Sequence, residues 1–307
     1  MYIIYKIINN LICLLKFKSR SIPLLAYSNF NFGKNYGFTF DFSHKTTHLG
    51  DRLFFFPLIR SLVALNIPIN VNDSSTNELF RKIYGIDIPR ASSEYFIAII
   101  PKPSFLSFLF KYKDVVLVDF TDLNVESKIS FELIRSFNRL FELNLNANVD
   151  VNVNALISSN YSSFVGKSLF DSKKYVVFNN YINSGFFRIY FKDSKLLSRE
   201  CEKFRNNGFE IIHVGSKSDK KNDINAYDFV SLDFRGLLTM GELAELISLP
   251  NVFGVVTFDN FIMHLAHLFD KPSWILFRGR FLKRNEDHHM KYVNNTFLSD
   301  SNNINYL

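Results

Sequence analysis

Short, strongly apolar runs of strand length alternate with stretches of helical period along most of this chain. That alternation constrains the fold more than any other feature. "YGFTFDF" (36–42), "IPINVND" (67–73), "YFIAIIP" (95–101) and "DVVLVDF" (114–120) read as strands. Between and after them, a helix is expected from about Gly50 to Leu65 and another over "STNELFRKIYG", capped by Ser75 or Thr76. A longer amphipathic helix is expected over "KISFELIRSFNRLFEL". Continuous apolar strands are buried on both faces, and the crossovers between parallel strands lay helices on those faces. The pattern therefore predicts α/β architecture with parallel sheets.

The Asn- and Ser-rich stretch "NANVDVNVNALISSNYSS" (146–163) interrupts this rhythm and is the linker candidate. Beyond it the alternation restarts. Strands are expected at "KYVVFNN", "FEIIHVG", "VFGVVTF" and "PSWILFRG". Helices are expected over "DSKLLSRECEKFRNNG", ending at Gly208, over "TMGELAELISL" and over "DNFIMHLAHLF". Thr239 and Glu242 have capping-box spacing. At 307 residues the chain exceeds the usual size of one core, so two Rossmann-like domains are expected, 1–160 and 161–307.

Composition narrows the function. Apolar residues make up 47% of the chain, ample for globular folding, and the formal net charge of +7 suits an anionic ligand or an anionic surface. No arginine-rich block or aromatic-basic platform appears, which argues against nucleic acid as a partner. Cys13 and Cys201 lie far apart, so a reducing cytoplasm is the simplest setting. Residues 1–20, "MYIIYKIINNLICLLKFKSR", read as an amphipathic helix. It is too short and too interrupted to span a bilayer, and fits either packing on the body of the protein or an anionic membrane surface.

Two segments carry candidate chemistry. In "KTTHLGDRLFFFPLIRSL", Gly50-Asp51 closes a polar loop that also holds Lys45 and His48, and an apolar helix follows at once. Asp51 reads either as a cap or as a proton acceptor. In "VVTFDNFIMHLAHLF", a strand containing Thr257 ends at Phe258. Asp259 can cap the next helix, and His264 falls one turn beyond Asn260. The free N–H groups of such a helix start form a phosphate site at the carboxyl edge of a parallel sheet; the alternative is a plain cap with a satisfied histidine. His264 with His267, and the His288-His289 pair, lack the company a zinc site needs, so no metal is expected.

Together with "DFRGLLTMGELAELISLPNVFGVVTFDNFIMHLAHLFDKPSWILF", the first segment resembles glycosyltransferase family 9, the lipopolysaccharide heptosyltransferases of GT-B fold. Gly50-Asp51 with Pro57, Gly236 with Thr239 to Leu243, Asp259 with His264, and Lys271-Pro272 match that family's motifs in order. The resemblance implies two Rossmann-like domains facing a cleft. It also implies an inverting, metal-independent transfer of sugar from a nucleotide-sugar donor to a lipopolysaccharide or other cell-surface polysaccharide acceptor. On that reading Asp51 is the general base. Asp259, Asn260, His264 and Thr257 bind the donor, with Arg188 or Lys192 in place of a phosphate-contacting lysine, and Arg278, Arg280, Lys283 and Arg284 add to the cationic field. Lys45, His48 and Gly50 contact acceptor or phosphate. No cofactor beyond the nucleotide-sugar co-substrate is implied, and the setting is cytoplasmic, with contact to the inner membrane surface.

Three departures accompany the match. Phe261 stands where the family has glycine, Lys217, counted among the donor-binding candidates, stands where the family often carries an acid for the nucleotide ribose, and the phosphate lysine has no direct counterpart. They keep two alternatives in view: a non-catalytic binding or assembly protein of this fold, and a sugar-nucleotide epimerase of the same fold.

Overall fold

The computed structural model describes residues 24–26, 36–43, 49–88, 95–101, 114–118, 129–146, 172–184, 187–190, 195–222, 227–276 and 303–307. The 1–20 segment, Lys45, His48, Lys192, the basic run 278–284, His288-His289 and nearly all of the linker candidate lie outside the described residues. The chain divides into two compact units, Met1–Asn77 with Asp87–Val149, and Glu78–Ile86 with Asp150–Leu307.

The first unit is built on a five-stranded sheet. Its strands are β1 (Leu24–Ala26), β2 (Tyr36–Phe40), β3 (Ile69–Val71), β4 (Tyr95–Pro101) and β5 (Val115–Val118), in spatial order β1-β5-β4-β2-β3. All pairs are parallel except β1 on β5, an antiparallel edge that the apolar pattern did not announce. The helices are α1 (Leu49–Leu53), α2 (Phe56–Ala64), α3 (Ser74–Tyr84), which begins in this unit and from Glu78 belongs to the second, and α4 (Ile129–Phe141). Phenylalanine supplies the core: Phe38 lies 5.4 Å from Phe137 and 4.8 Å from Phe141 between ring centroids, and Phe55 packs on both Phe40 and Phe42.

The single helix expected from Gly50 to Leu65 is two helices. Pro57 has no N–H to offer the Leu53 carbonyl, and its ring would crowd that carbonyl inside a continuous helix. Proline is tolerated in a first turn, so the chain breaks at Phe54–Phe55 and restarts with Pro57 there. The cap of α3 also differs from expectation. Asp73, not Ser75 or Thr76, accepts the Thr76 N–H at 2.7 Å.

The second unit holds a six-stranded sheet. Its strands are β6 (Tyr175–Phe178), β9 (Glu210–His213), β10 (Leu232–Asp233), β11 (Val252–Phe258), β12 (Ser273–Leu276) and β13 (Ile304–Tyr306). Every pair is parallel, in the order β10-β9-β6-β11-β12-β13. Counted along this unit's sheet the order is 3-2-1-4-5-6, the doubly wound Rossmann arrangement. A separate antiparallel hairpin, β7 (Tyr181–Ser184) with β8 (Phe187–Tyr190), follows β6. The helices are α5 (Lys195–Asn206), α6 (Lys217–Asn222), α7 (Met240–Ser248) and α8 (Phe261–Leu268). The Thr239–Glu242 capping box at α7 is present as expected, and Gly208, beyond the end of α5, takes φ +83°.

Lys271 joins two elements of this unit. Its Nζ donates to the carbonyls of Leu249, at the end of α7, and Val252, at the start of β11, both at 2.8 Å. Burial lowers the pKa of its ammonium. Asp270 before it holds φ 53°, a left-handed turn that reverses the chain from α8 into β12. Lys271→Met would leave both carbonyls without this donor. We expect it to lower unfolding free energy by about 1–3 kcal/mol in urea titration, with little change in far-ultraviolet circular dichroism.

Candidate functional site

Parallel strands bring their carboxyl ends to one edge, and each unit gathers polar side chains there. In the second unit the strand order reverses between β6 and β11, which opens the crevice where Rossmann sheets take ligands. The residues that leave those strands are Asn179-Asn180 after β6 and Asp259-Asn260 after β11.

Asn260, not Asp259, is the N-cap of α8. Its backbone is extended (φ −131°, ψ −171°), and its Oδ1 accepts the Ile262 N–H at 2.9 Å. The expectation that Asp259 caps is corrected: β11 ends at Phe258, and Asp259 is the connecting residue between the strand and the Asn260 cap. The Asp259 carboxyl, almost wholly buried, thus stands at the strand end rather than in the helix start. Thr257 is fully buried and donates its hydroxyl to Asn260 Oδ1 at 3.2 Å. His264 is half-buried one turn into α8, where its N–H bonds to the Asn260 carbonyl. The sheet thus brings Thr257, Asp259, Asn260 and His264 together beside the positive pole of α8.

Three residues of this edge escaped the sequence reading. Asn179 and Asn180 are both buried, and His213 at the end of β9 is 1% exposed. Asn180 donates to the Tyr227 hydroxyl at 2.6 Å and takes a hydrogen bond from His213 Nε2 at 3.0 Å, since an amide oxygen only accepts. The His213 ring also packs 4.7 Å from Phe178. The available signal was an Asn pair placed directly after an apolar run, where a polar residue leaving a strand is at the ligand edge.

Lys217 opens α6, exposed, in the loop after β9. With β6 lying between β9 and β11, strand spacing puts that strand end about 10 Å from Asp259. An acid does stand close by, at Asp219 in the first turn of α6. Burial raises its pKa, and its carboxylate accepts from the N–H and hydroxyl of Ser216. Gly236 packs on Lys217 so closely that a Cβ there would come within 2.9 Å of the lysine Cα. Arg188 lies in β8, opposite Asn183 in the hairpin.

In the first unit, Gly50 is buried and Asp51 lies within α1, the short helix after the polar loop. Its neighbour Arg52 fixes that turn. The guanidinium donates to Asp73 Oδ2 at 2.8 Å, to Thr76 Oγ1 at 2.9 Å and to the Phe42 carbonyl at 3.3 Å. Burial of Asp73 works against its charge. The hydrogen bonds from Ser75 and Thr76, with the Arg52 charge, prevail and lower its pKa. Asp41, wholly buried at the end of β2, accepts the Ser43 N–H at 3.0 Å. Among the described residues, no group of three or more His, Cys, Asp or Glu could hold a metal ion, and no helix is long and apolar enough to cross a membrane.

His267, on the same helix as His264, is a core residue. Burial lowers its pKa to about 4, partly opposed by Asp270. The folded protein therefore leaves this ring neutral at a pH where the unfolded chain protonates it. Stability from this group is complete above about 6.5, falls as pH drops from there to about 4, and changes no further below that. His267→Leu should flatten that part of the stability-versus-pH curve, measured by urea unfolding at steps between pH 7 and 4.

No family model and no curated protein matches the chain. Solved structures do. The chain is similar to a family 9 glycosyltransferase from Veillonella parvula, with TM-score 0.53 and 14% identity over 81% of this chain and 83% of that one. It is also similar to the Escherichia coli ADP-heptose lipopolysaccharide heptosyltransferase II, with TM-score 0.55 and 12% identity over 88% and 90%. At such identities the likeness establishes the fold: two Rossmann-like units of GT-B type, as in the family 9 heptosyltransferases.

Proposed function

We propose that this protein is an inverting glycosyltransferase that moves a sugar from a nucleotide-sugar donor to a cell-surface polysaccharide or lipopolysaccharide acceptor. The observation that carries the reading is the order reversal of the second sheet, with Asp259, Asn260 and His264 beside the start of α8 at that crevice. A leaving nucleoside diphosphate gains negative charge as the glycosidic bond breaks. Oriented N–H dipoles and nearby cations stabilise that charge as it develops, and this mode needs no metal.

The second unit holds the donor diphosphate at α8, with His264 donating to a phosphate oxygen and Arg188 and Lys217 adding positive charge. Asp51 of the first unit takes the proton from the acceptor hydroxyl as the new C–O bond forms. Lys45, His48 and Gly50 are the candidate acceptor or phosphate contacts. The basic balance and the 1–20 segment suit an acceptor carried on lipid at the inner face of the membrane. A non-catalytic binding protein of the same fold is the second reading, favoured by Phe261, whose bulk stands where a close backbone approach to phosphate would be easier without a side chain.

Thermal stabilisation against ADP-, UDP-, GDP- and CMP-sugars tests the donor assignment. A ligand at a hundred times its Kd adds about 2.7 kcal/mol. A folded protein that no donor stabilises would sink the transferase reading and is the result expected of a non-catalytic protein of this fold that has lost the donor site. Asp51→Asn should keep donor binding and lower kcat by about 10²–10⁴-fold. Near-normal transfer by that variant would remove Asp51 from the base role, and binding without turnover in the unsubstituted protein would support the non-catalytic reading.

A further inference from the structure

The cap of α8 is an asparagine, and its amide does something that capping does not require. A helix cap needs one acceptor, and Asn260 Oδ1 supplies it to the Ile262 N–H while also accepting the Thr257 hydroxyl. That leaves the two N–H groups of Nδ2. One goes to Asn179 Oδ1 at 2.8 Å and the other to the Tyr181 carbonyl at 3.3 Å. Of the usual capping side chains only asparagine can do this. Serine and threonine carry a single hydroxyl hydrogen, and an ionised aspartate carries none.

Asn179 completes the arrangement. It is 3% exposed, and its own Nδ2 donates to the Val214 carbonyl at 2.8 Å, which fixes the orientation of the amide. Its Oδ1 therefore faces Asn260 and also accepts the Tyr181 N–H at 3.3 Å. Tyr181 is the first residue of the β7–β8 hairpin, and both of its backbone polar groups are held by this amide pair. The same pair joins the ends of β6 and β11 across the order reversal, and Arg188 stands in the second strand of the hairpin so held.

We infer that Asn179 and Asn260 form a positioning pair that sets the β7–β8 hairpin against the start of α8, so that affinity for the donor diphosphate depends on the Asn260 amide and not only on its capping oxygen. The inference rests on the donor assignment proposed above. Neither residue is a catalytic group; both act through the hairpin and the helix start.

Two substitutions in the full chain separate this role from capping. Asn260→Ser keeps a good cap and removes the Nδ2 donors; Asn260→Asp keeps the cap and turns a charge toward Asn179 Oδ1. In hydrogen–deuterium exchange, both should speed exchange of the 181–184 and 187–190 amides, while the interior amides of α8 stay protected. Affinity for whichever of ADP, UDP, GDP and CDP the unsubstituted protein binds, measured by calorimetry, should fall about fivefold in Asn260→Ser and further in Asn260→Asp. Unchanged hairpin exchange in both variants would overturn the clamp. Faster hairpin exchange with unchanged nucleotide affinity would overturn its role in binding. If the unsubstituted protein binds none of the four, the donor assignment itself fails, a result separable from the other two.

Discussion

Parallel pairing is the constraint from which the rest of this structure follows. A strand that pairs in parallel with another must return to the same edge of the sheet, which takes a crossover long enough for a helix. Both faces of the sheet are then covered, so its strands are apolar throughout, as Val115–Val118 and Tyr175–Phe178 are. The carboxyl ends of the parallel strands emerge on one side, with the antiparallel edge strand β1 the exception. The polar residues that cannot enter the sheet therefore collect at a single edge in each unit, and chemistry has one natural place to sit.

What collects at the second unit's edge is mostly neutral. Asn179, Asn180, Asn260, Thr257, His213 and Tyr227 bond to one another and to backbone groups, so burial costs them little in lost solvation. Neutral amides add no charge that opposes the field of the α8 terminus, as a ring of carboxylates would. The first unit uses charge instead. Arg52 binds Asp73, which in turn caps α3, so one ion pair secures the turn that carries Asp51. Its side chains are mostly shielded from water, where such a pair is worth more than on the open surface.

The amino-acid pattern made much of the fold legible. Strand and helix rhythm identified the main elements of both sheets, and Thr239 with Glu242 marked a helix start whose capping box is present. Other elements were too short or too polar to register. β10 has two residues and β13 reads "INY" among asparagines, so their strand character comes from the neighbouring strand each pairs with. The β7–β8 hairpin has strands of only four residues each, too short to stand out in the apolar pattern. Pro57 is the local mark of the break between α1 and α2. At the candidate site, Asp259, Asn260 and His264 are legible from their place after an apolar strand; Asn179 and Asn180 carry the same mark after β6, and His213, inside an apolar strand, carries none.

Alone, the sequence determined what depends on near neighbours: the two-residue and 3.6-residue periods, the capping box at Thr239 and Glu242, and the helix end at Gly208. Sterics and hydrogen bonding within a few residues decide those. Tertiary structure decided the strand order and therefore who meets whom. Asn179 and Asn260 are 81 residues apart, and nothing local pairs them. They touch because β6 and β11 are adjacent at the reversal of order, a choice made by burying the apolar faces of a whole sheet at once. The same burial decided that Asn260 rather than Asp259 would cap α8, because β11 had to run through Phe258 before the helix could begin.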